Sequence, residues 1–180
     1  MNLQLLGIGD LDRRLLEELR VQMGGVFRIP CEVVNGNLSA DFAFHPERGQ
    51  YHSSEILVRM QRQVGPRCWR LLGVTAVDLY IPILTFVFGE AQLGGRCALV
   101  SIHRLQPEFY GLPPDTQLLG QRLLKESVHE LGHTLELTHC DDYGCVMAAS
   151  HSAEWIDLKE PQLCDLCQQR VLQNTANQQW

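Results

Sequence analysis

The sequence predicts an α/β fold of the α+β kind: a mixed, twisted N-terminal sheet with two helices, a third and longer helix, and a small cysteine-rich C-terminal part. Three observations predict it. Over the first 105 residues, short apolar runs alternate with stretches whose leucines recur at helical spacing, a pattern that implies a mixed sheet with right-handed crossovers. From about 117 to 137, Leu124, Val128, Leu131 and Leu135 lie on one stripe of a single long helix. Beyond 137 the periodicity stops, and four cysteines fall within 28 residues. With 180 residues, 45% of them hydrophobic and 20% charged, the chain reads as one domain, 1–180, with enough apolar material for a core. Within it, 1–138 form an N-terminal part that includes the long helix, and 139–180 a C-terminal part.

Residues 2–8, NLQLLGI, read as a short buried strand. Asp10 is placed to cap a helix carrying Leu11, Leu15, Leu16 and Leu19, which Gly24 and Gly25 should stop. A second strand is expected from Val26 to Val34, bent at Pro30, followed by a polar loop through Pro46 and Gly49. Ser53 or Ser54 can cap the second helix, which carries Ile56, Leu57, Met60 and Val64. Residues 70–80 and 84–88 read as strands around Pro82, and 97–105 as another after the Gly94-Gly95 turn. Pro113 and Pro114 close this region, and Asp115 or Thr116 caps the long helix. The tail from Gln173 to Trp180 is polar apart from its last residue and reads as partly disordered.

Fifteen lysines and arginines stand against 21 acidic residues, a net charge of −6. A chain this acidic lacks the basic face that a phosphate backbone requires. No run of 18 apolar residues exists, so no membrane-spanning segment is expected. Met1 to Asp10 contain no basic stretch and no cleavage signal, so a cytoplasmic, monomeric protein is the expectation.

The long helix carries His129-Glu130-Leu131-Gly132-His133. Histidines at i and i+4 share one helix face, so both imidazoles reach a single ion. Zinc takes neutral imidazole nitrogen and favours four ligands. Glu130 projects beside the pair, where it can accept a proton from a zinc-bound water as general base. His139 lies six residues beyond His133, where the helical pattern ends. A chain that turns back near residue 136 brings it to the same ion. Three histidines with one open position describe a catalytic site.

Seven cysteines need a reason in a chain read as cytosolic, where disulfides are rare. Cys31, Cys68 and Cys97 stand alone in or beside apolar strands and read as small buried hydrophobes. Cys140 and Cys145, then Cys164 and Cys167, form two short pairs separated by 18 residues. This is the layout of a closed, four-thiolate structural zinc site. Because His139 and Cys140 are adjacent, the structural site would also fix where His139 points.

From His129 to Cys167 the sequence resembles the archaemetzincin family: an HExxH motif, a third histidine, then four cysteines with a methionine after the second. Met147, in Cys145-Val146-Met147, matches the methionine of the metzincin Met-turn. Arg48-Gly49-Gln50-Tyr51, Asp78-Leu79-Tyr80 and Phe86-Val87-Phe88-Gly89 are also similar to that family. The resemblance implies a compact metzincin-like fold, one catalytic and one structural zinc, and peptidase chemistry. Two departures stand out. The family has glycine seven residues after the first histidine, where this chain has Glu136, and the Met147-to-Cys164 gap is one residue short. Glycine at that point lets a helix end in a left-handed turn, a conformation that costs other residues of order 1 kcal/mol. Glu136 is also placed to ligate the ion itself.

The expected function is therefore hydrolysis of peptide bonds by a zinc-dependent peptidase, with Glu130 as base and peptide or protein substrates. Substrate would add as an extended strand to a sheet edge, with residues 84–92 as the candidate edge. Two other readings remain open: a zinc module that binds a protein partner and has lost activity through Glu136, and a nucleic-acid ribbon built on the cysteines. Only Lys159 and Arg170 are fixed positive charges between 140 and 180, which weakens the ribbon. His45, His52, His103 and His151 read as non-ligating, and Trp69, Trp155 and Trp180 as packing residues. Tyr143 lies near both expected ions.

Overall fold

The computed structural model describes residues 2–177. A five-stranded sheet forms the centre. Its strands are β1 (Asn2–Ile8), β2 (Cys31–Leu38), β5 (Cys68–Thr75), β7 (Gly89–Ala91) and β8 (Cys97–Ser101), in the order β2-β1-β5-β8-β7. All neighbours are parallel except β7, which runs antiparallel to β8 at the edge. A smaller three-stranded sheet joins β3 (Phe44–His45), β4 (Gln50–His52) and β6 (Leu79–Tyr80).

Residue alternation decides what covers each face. Leu3 and Leu5 of β1, Leu72 and Val74 of β5, and Ala98 and Val100 of β8 point to one side. There they meet Leu16, Leu19 and Met23 of helix α1 (Arg13–Phe27) and Leu123, Val128 and Leu131 of helix α3 (Thr116–Thr134). Leu6, Ile8, Leu71 and Leu99 point to the other side, against Ile56, Leu57 and Met60 of helix α2 (Ser53–Gln61). Strands buried on both faces read as near-continuous apolar runs, as LQLLGI does. The first cluster also takes in Cys145, Val146, Met147, Ile156 and Cys167, so the C-terminal part shares this core. That part adds the short helix α4 (Ala153–Leu158) and helix α5 (Asp165–Asn177). No helix among the described residues is long and apolar enough to cross a membrane.

Several boundaries differ from the sequence expectation. Helix α1 is capped by Asp12, which accepts from the Arg14 amide at 2.9 Å, and it runs through Gly24 and Gly25 to Phe27. Each internal glycine costs about 1 kcal/mol, but burial of Met23 and the Phe27–Trp69 ring contact hold the last turns. The chain then leaves the helix at Arg28 (φ 54°), and the second strand begins at Cys31, beyond Pro30. His52, not a serine, precedes α2. The Ser53 and Ser54 hydroxyls donate instead to the two oxygens of Glu90 on β7, tying α2 to the sheet edge.

The expected strand 70–80 breaks after Thr75, and β6 belongs to the small sheet. Residues 84–88 form no strand: only a bridge between Leu79 and Val87 remains, and the edge strand starts at Gly89. Strand β8 stops at Ser101, and α3 stops at Thr134 rather than 137. The polar tail is helical as far as Asn177. Its last three residues, Trp180 among them, lie outside the described residues.

Candidate active site

Helix α3 is set by Asp115, whose carboxylate accepts from the Leu118 amide at 2.9 Å. It ends where Arg70 of β5 donates to the Thr134 hydroxyl (3.0 Å) and carbonyl (3.2 Å), satisfying one of the free carbonyls of its last turn. Residues 126–132 are all buried, because this stretch lies between the sheet and the C-terminal part. His129 and His133 leave the helix on one face, as their spacing requires. The Nδ1–H of His129 donates to the Val146 carbonyl at 2.8 Å, and that of His133 to the Leu137 carbonyl at 2.7 Å. A carbonyl only accepts, so Nδ1 carries the proton in both rings.

The two Nε2 atoms then face each other across 3.1 Å. Two lone pairs at that separation suit a shared cation. Residues 135–139 supply the third ligand by reversing the chain. The amides of Leu135 and Leu137 both donate to the Gly132 carbonyl, and Glu136 takes φ 64°. His139 returns against the pair, its ring 5.3 Å from that of His129 and 5.2 Å from that of His133, centre to centre. One nitrogen from each of the three lies within 4.8 Å of the others. Burial lowers the His129 pKa well below the ordinary imidazole value, and the Lys159 charge acts the same way; burial also lowers His133 and His139. Neutral imidazole is the metal-binding form. The donor set fits zinc.

Glu136 makes the turn itself, so its departure from glycine does not remove His139. Nor does it join the histidine group: its side chain lies beside Gly94, where an added Cβ would sit 3.1 Å from its Cγ. The alternative in which Glu136 ligates the ion is thus corrected, and His139 holds the third place as expected. Its left-handed backbone is the remaining cost. Glu136→Gly is expected to stabilise the protein by about 1 kcal/mol, a rise in Tm of about 2–4 °C for a chain of this size. A fall in Tm would show that contacts of the glutamate side chain outweigh the relief.

Glu130 is buried on the sheet side of the helix, against β7. A Cβ placed on Gly89 would lie 2.7 Å from Glu130 Cγ and 2.6 Å from the Leu99 carbonyl oxygen, so only glycine lets the edge strand come this close. Burial pushes the Glu130 carboxyl well above the usual carboxylate range, and Glu126 and Glu90 push the same way. Met147 packs against the same helix at Gly132. A Cβ on Gly132 would collide with its sulfur.

Sulfurs of Cys140, Cys145, Cys164 and Cys167 also lie within 4.8 Å of one another, and all four are free thiols. A turn over Asp141–Gly144 closes the first pair: the Gly144 amide donates to the Asp142 carboxylate (2.9 Å) and the Cys145 amide to its carbonyl (3.0 Å). Cys164 precedes α5 and Cys167 lies in its first turn. The Cys140 amide donates to the Met147 carbonyl at 2.9 Å, so the cysteine turn and the methionine segment are backbone neighbours. Cys31, Cys68 and Cys97 stay outside both groups; burial raises Cys31 and Cys97 to about 11.

The other singled-out residues join neither group. His103 packs on Phe109, His45 and His52 on Tyr80, and His151 and Tyr143 on Trp155. Sequence reasoning missed what the upstream strings do. Gln50 donates to Asp78 (3.0 Å) and to the Thr85 carbonyl (3.0 Å). Arg48 donates to the carbonyls of Leu84 (2.8 Å) and Thr85 (3.1 Å). Arg104 binds Asp78 through two nitrogens and lies over the Phe86 ring. Together they anchor the loop that leads into β7. Burial alone would raise the Asp78 carboxyl, but the Arg104 hydrogen bonds and charge, with Gln50, bring it below the usual range.

The sequence profile of peptidase family M54 matches residues 26–173. An archaemetzincin from Methanocaldococcus jannaschii is 42% identical over 164 residues, covering 91% of this chain and 89% of that protein. Among solved structures, archaemetzincin from Methanopyrus kandleri superposes with a TM-score of 0.82 at 34% identity, over 98% of this chain and 96% of that one. A zinc-dependent peptidase from Methanocorpusculum labreanum superposes with a TM-score of 0.84 at 30% identity, over 94% and 99%. A metzincin-like fold, a histidine triad drawn from the long helix and the turn that follows it, and a four-cysteine group thus coincide with matches along nearly the whole sequence, and the chain belongs to peptidase family M54, the archaemetzincins, as a zinc metallopeptidase.

Proposed function

We propose that the chain hydrolyses peptide bonds with Glu130 as general base, beside a catalytic zinc held by His129, His133 and His139. A second, structural zinc is held by Cys140, Cys145, Cys164 and Cys167. The observation that carries this reading is the pair of histidine nitrogens facing each other with both Nδ1 protons already committed to carbonyls. Zinc there supplies Lewis acidity to the scissile carbonyl and acidifies water at neutral pH.

The chain's own residues do the rest. The carbonyls of Val146 and Leu137 keep the two helix imidazoles in the ligating tautomer. Glu130 takes the proton of the attacking water and passes one to the leaving amine; its burial excludes competing solvent. Met147 supports the helix at Gly132. Strand β7, the edge of the five-stranded sheet among the described residues, accepts an extended peptide by backbone pairing. The whole chain acts as one catalytic domain, with 1–138 and 139–180 meeting at the histidines.

Metal removal tests the reading. Wild-type protein reconstituted with zinc is expected to hold two ions per chain and to cleave members of a mixed peptide library, detected by mass spectrometry. A chelator that strips the histidine site should stop cleavage, and zinc should restore it. Turnover that persists after both ions are gone would sink the proposal.

A further inference from the structure

Lys159 is buried without an evident catalytic use. Its side chain is 1% exposed, and that of its partner Glu126 on α3 is 4% exposed. Its Nζ lies 3.3 Å from Glu126 Oε1 and 3.3 Å from the Val146 carbonyl oxygen. That oxygen is the one that accepts the His129 Nδ1–H. A carbonyl has two lone pairs, and the two donors use both. The Val146 amide in turn donates to Gln162 (3.0 Å), and Glu160 to Gly144 (2.9 Å). The segment after α4 thus grips the methionine turn on either side of the carbonyl that orients His129.

One face of α3 builds this contact. Arg122 binds Asp157 through two nitrogens (2.8 and 2.6 Å), Lys125 donates to the carbonyls of Ile156 and Asp157, and Glu126 meets Lys159. One turn further along the same face comes His129. Among these clamps, only Lys159 also touches the carbonyl that holds a triad histidine. The other two keep α4 docked without it.

We propose that Lys159 is a positioning residue: by fixing the direction of the Val146 carbonyl, it locks the His129 ring with Nε2 toward His133 and His139 and thereby sets the metal affinity of the triad. A buried ion pair that only stabilised the fold would behave differently: removing Lys159 leaves Glu126 buried and unpaired, which lowers stability but does not lower the metal affinity of the folded triad. The metal part of the inference rests on the triad being a zinc site; the ring-orientation part does not.

Two variants and three readouts test it. Lys159→Met keeps the length and apolar stem but removes the donor. Asp157→Asn weakens a neighbouring clamp that does not reach Val146. Zinc affinity of each site is measured by competition with a chromophoric chelator. The His129 Nδ1–H is followed by NMR in metal-free protein. Lys159→Met should weaken zinc at the triad about 10–100-fold, the range seen when a ligand's hydrogen-bond partner is lost. The four-cysteine site should be little changed, and the His129 Nδ1–H signal should broaden through faster exchange. Asp157→Asn should lower Tm with triad affinity kept.

Wild-type affinity at the triad in Lys159→Met, or an equal loss in Asp157→Asn, would overturn the proposal. If Lys159→Met does not fold, the wild type decides: a cross-relaxation peak between the His129 Nδ1–H and the Lys159 methylene protons is expected, and its absence overturns the contact. Wild type that takes no zinc at the triad would instead sink the metal reading. The NMR result would still judge the orienting role.

Discussion

Glu130→Gln is expected to lower kcat by a factor on the order of 10² to 10⁴, the usual contribution of a general acid–base group, while both ions stay bound. The carboxylate belongs to neither group of ligand atoms, so its loss removes a proton acceptor and not a ligand. Glutamine is the informative replacement. It fills the space against Gly89 that glutamate fills, and it removes a buried ionisable group, so folding should be kept. Elemental analysis for zinc and steady-state turnover of a library-derived peptide are measured on the same preparation. Near-wild-type turnover would show that Glu130 is not the base. Loss of the triad ion would show that it binds metal after all.

Cys140→Ser should have the widest structural effect. A serine hydroxyl is a poor zinc ligand beside a thiolate, and a structural zinc site is worth about 10–16 kcal/mol of binding free energy in small zinc-finger peptides. Cys145 and Cys167 sit in the main core cluster with Met147. Losing the ion should therefore loosen the whole segment from 139 onward. His139 precedes the mutated residue, and the Cys140 amide is bonded to Met147, so the third triad ligand should lose its place as well. A zinc titration that follows each site separately is expected to show weaker binding at both, with a lower Tm. Unchanged affinity at the triad, with the thiolate-bound ion demonstrably gone, would mean that the two sites are independent.

The local chemistry was legible because it is local. HExxH depends only on the period of a helix, and the two cysteine pairs only on short turns, so spacing alone announces two metal groups. Four of the five central strands and the first three helices were visible as runs and stripes for the same reason, whereas the edge strand was expected at 84–88 and lies at Gly89–Ala91. The errors fell where packing outvotes propensity. Gly24 and Gly25 look like a stop, yet α1 continues because Met23 and Phe27 are held by the core. Ser53 and Ser54 look like caps, yet their hydroxyls go to Glu90, which is distant in sequence.

The sequence by itself determined which residues can bind metal, which carboxylate stands beside them, and that the chain alternates strands and helices around a central sheet; the small second sheet was not legible in it. These follow from residue chemistry and from periods of two and 3.6. Only the tertiary structure decided how those groups are aimed. It placed the Val146 carbonyl on His129, brought Lys159 to the same oxygen from another segment, and let Gly89 approach Glu130 across the sheet edge. It also chose the left-handed turn at Glu136, which its residue type disfavours. Each of these joins residues far apart in the chain or overrides a local preference. The reason is common to all of them: a contact between distant segments is set by burial of the shared core, and no local pattern encodes it.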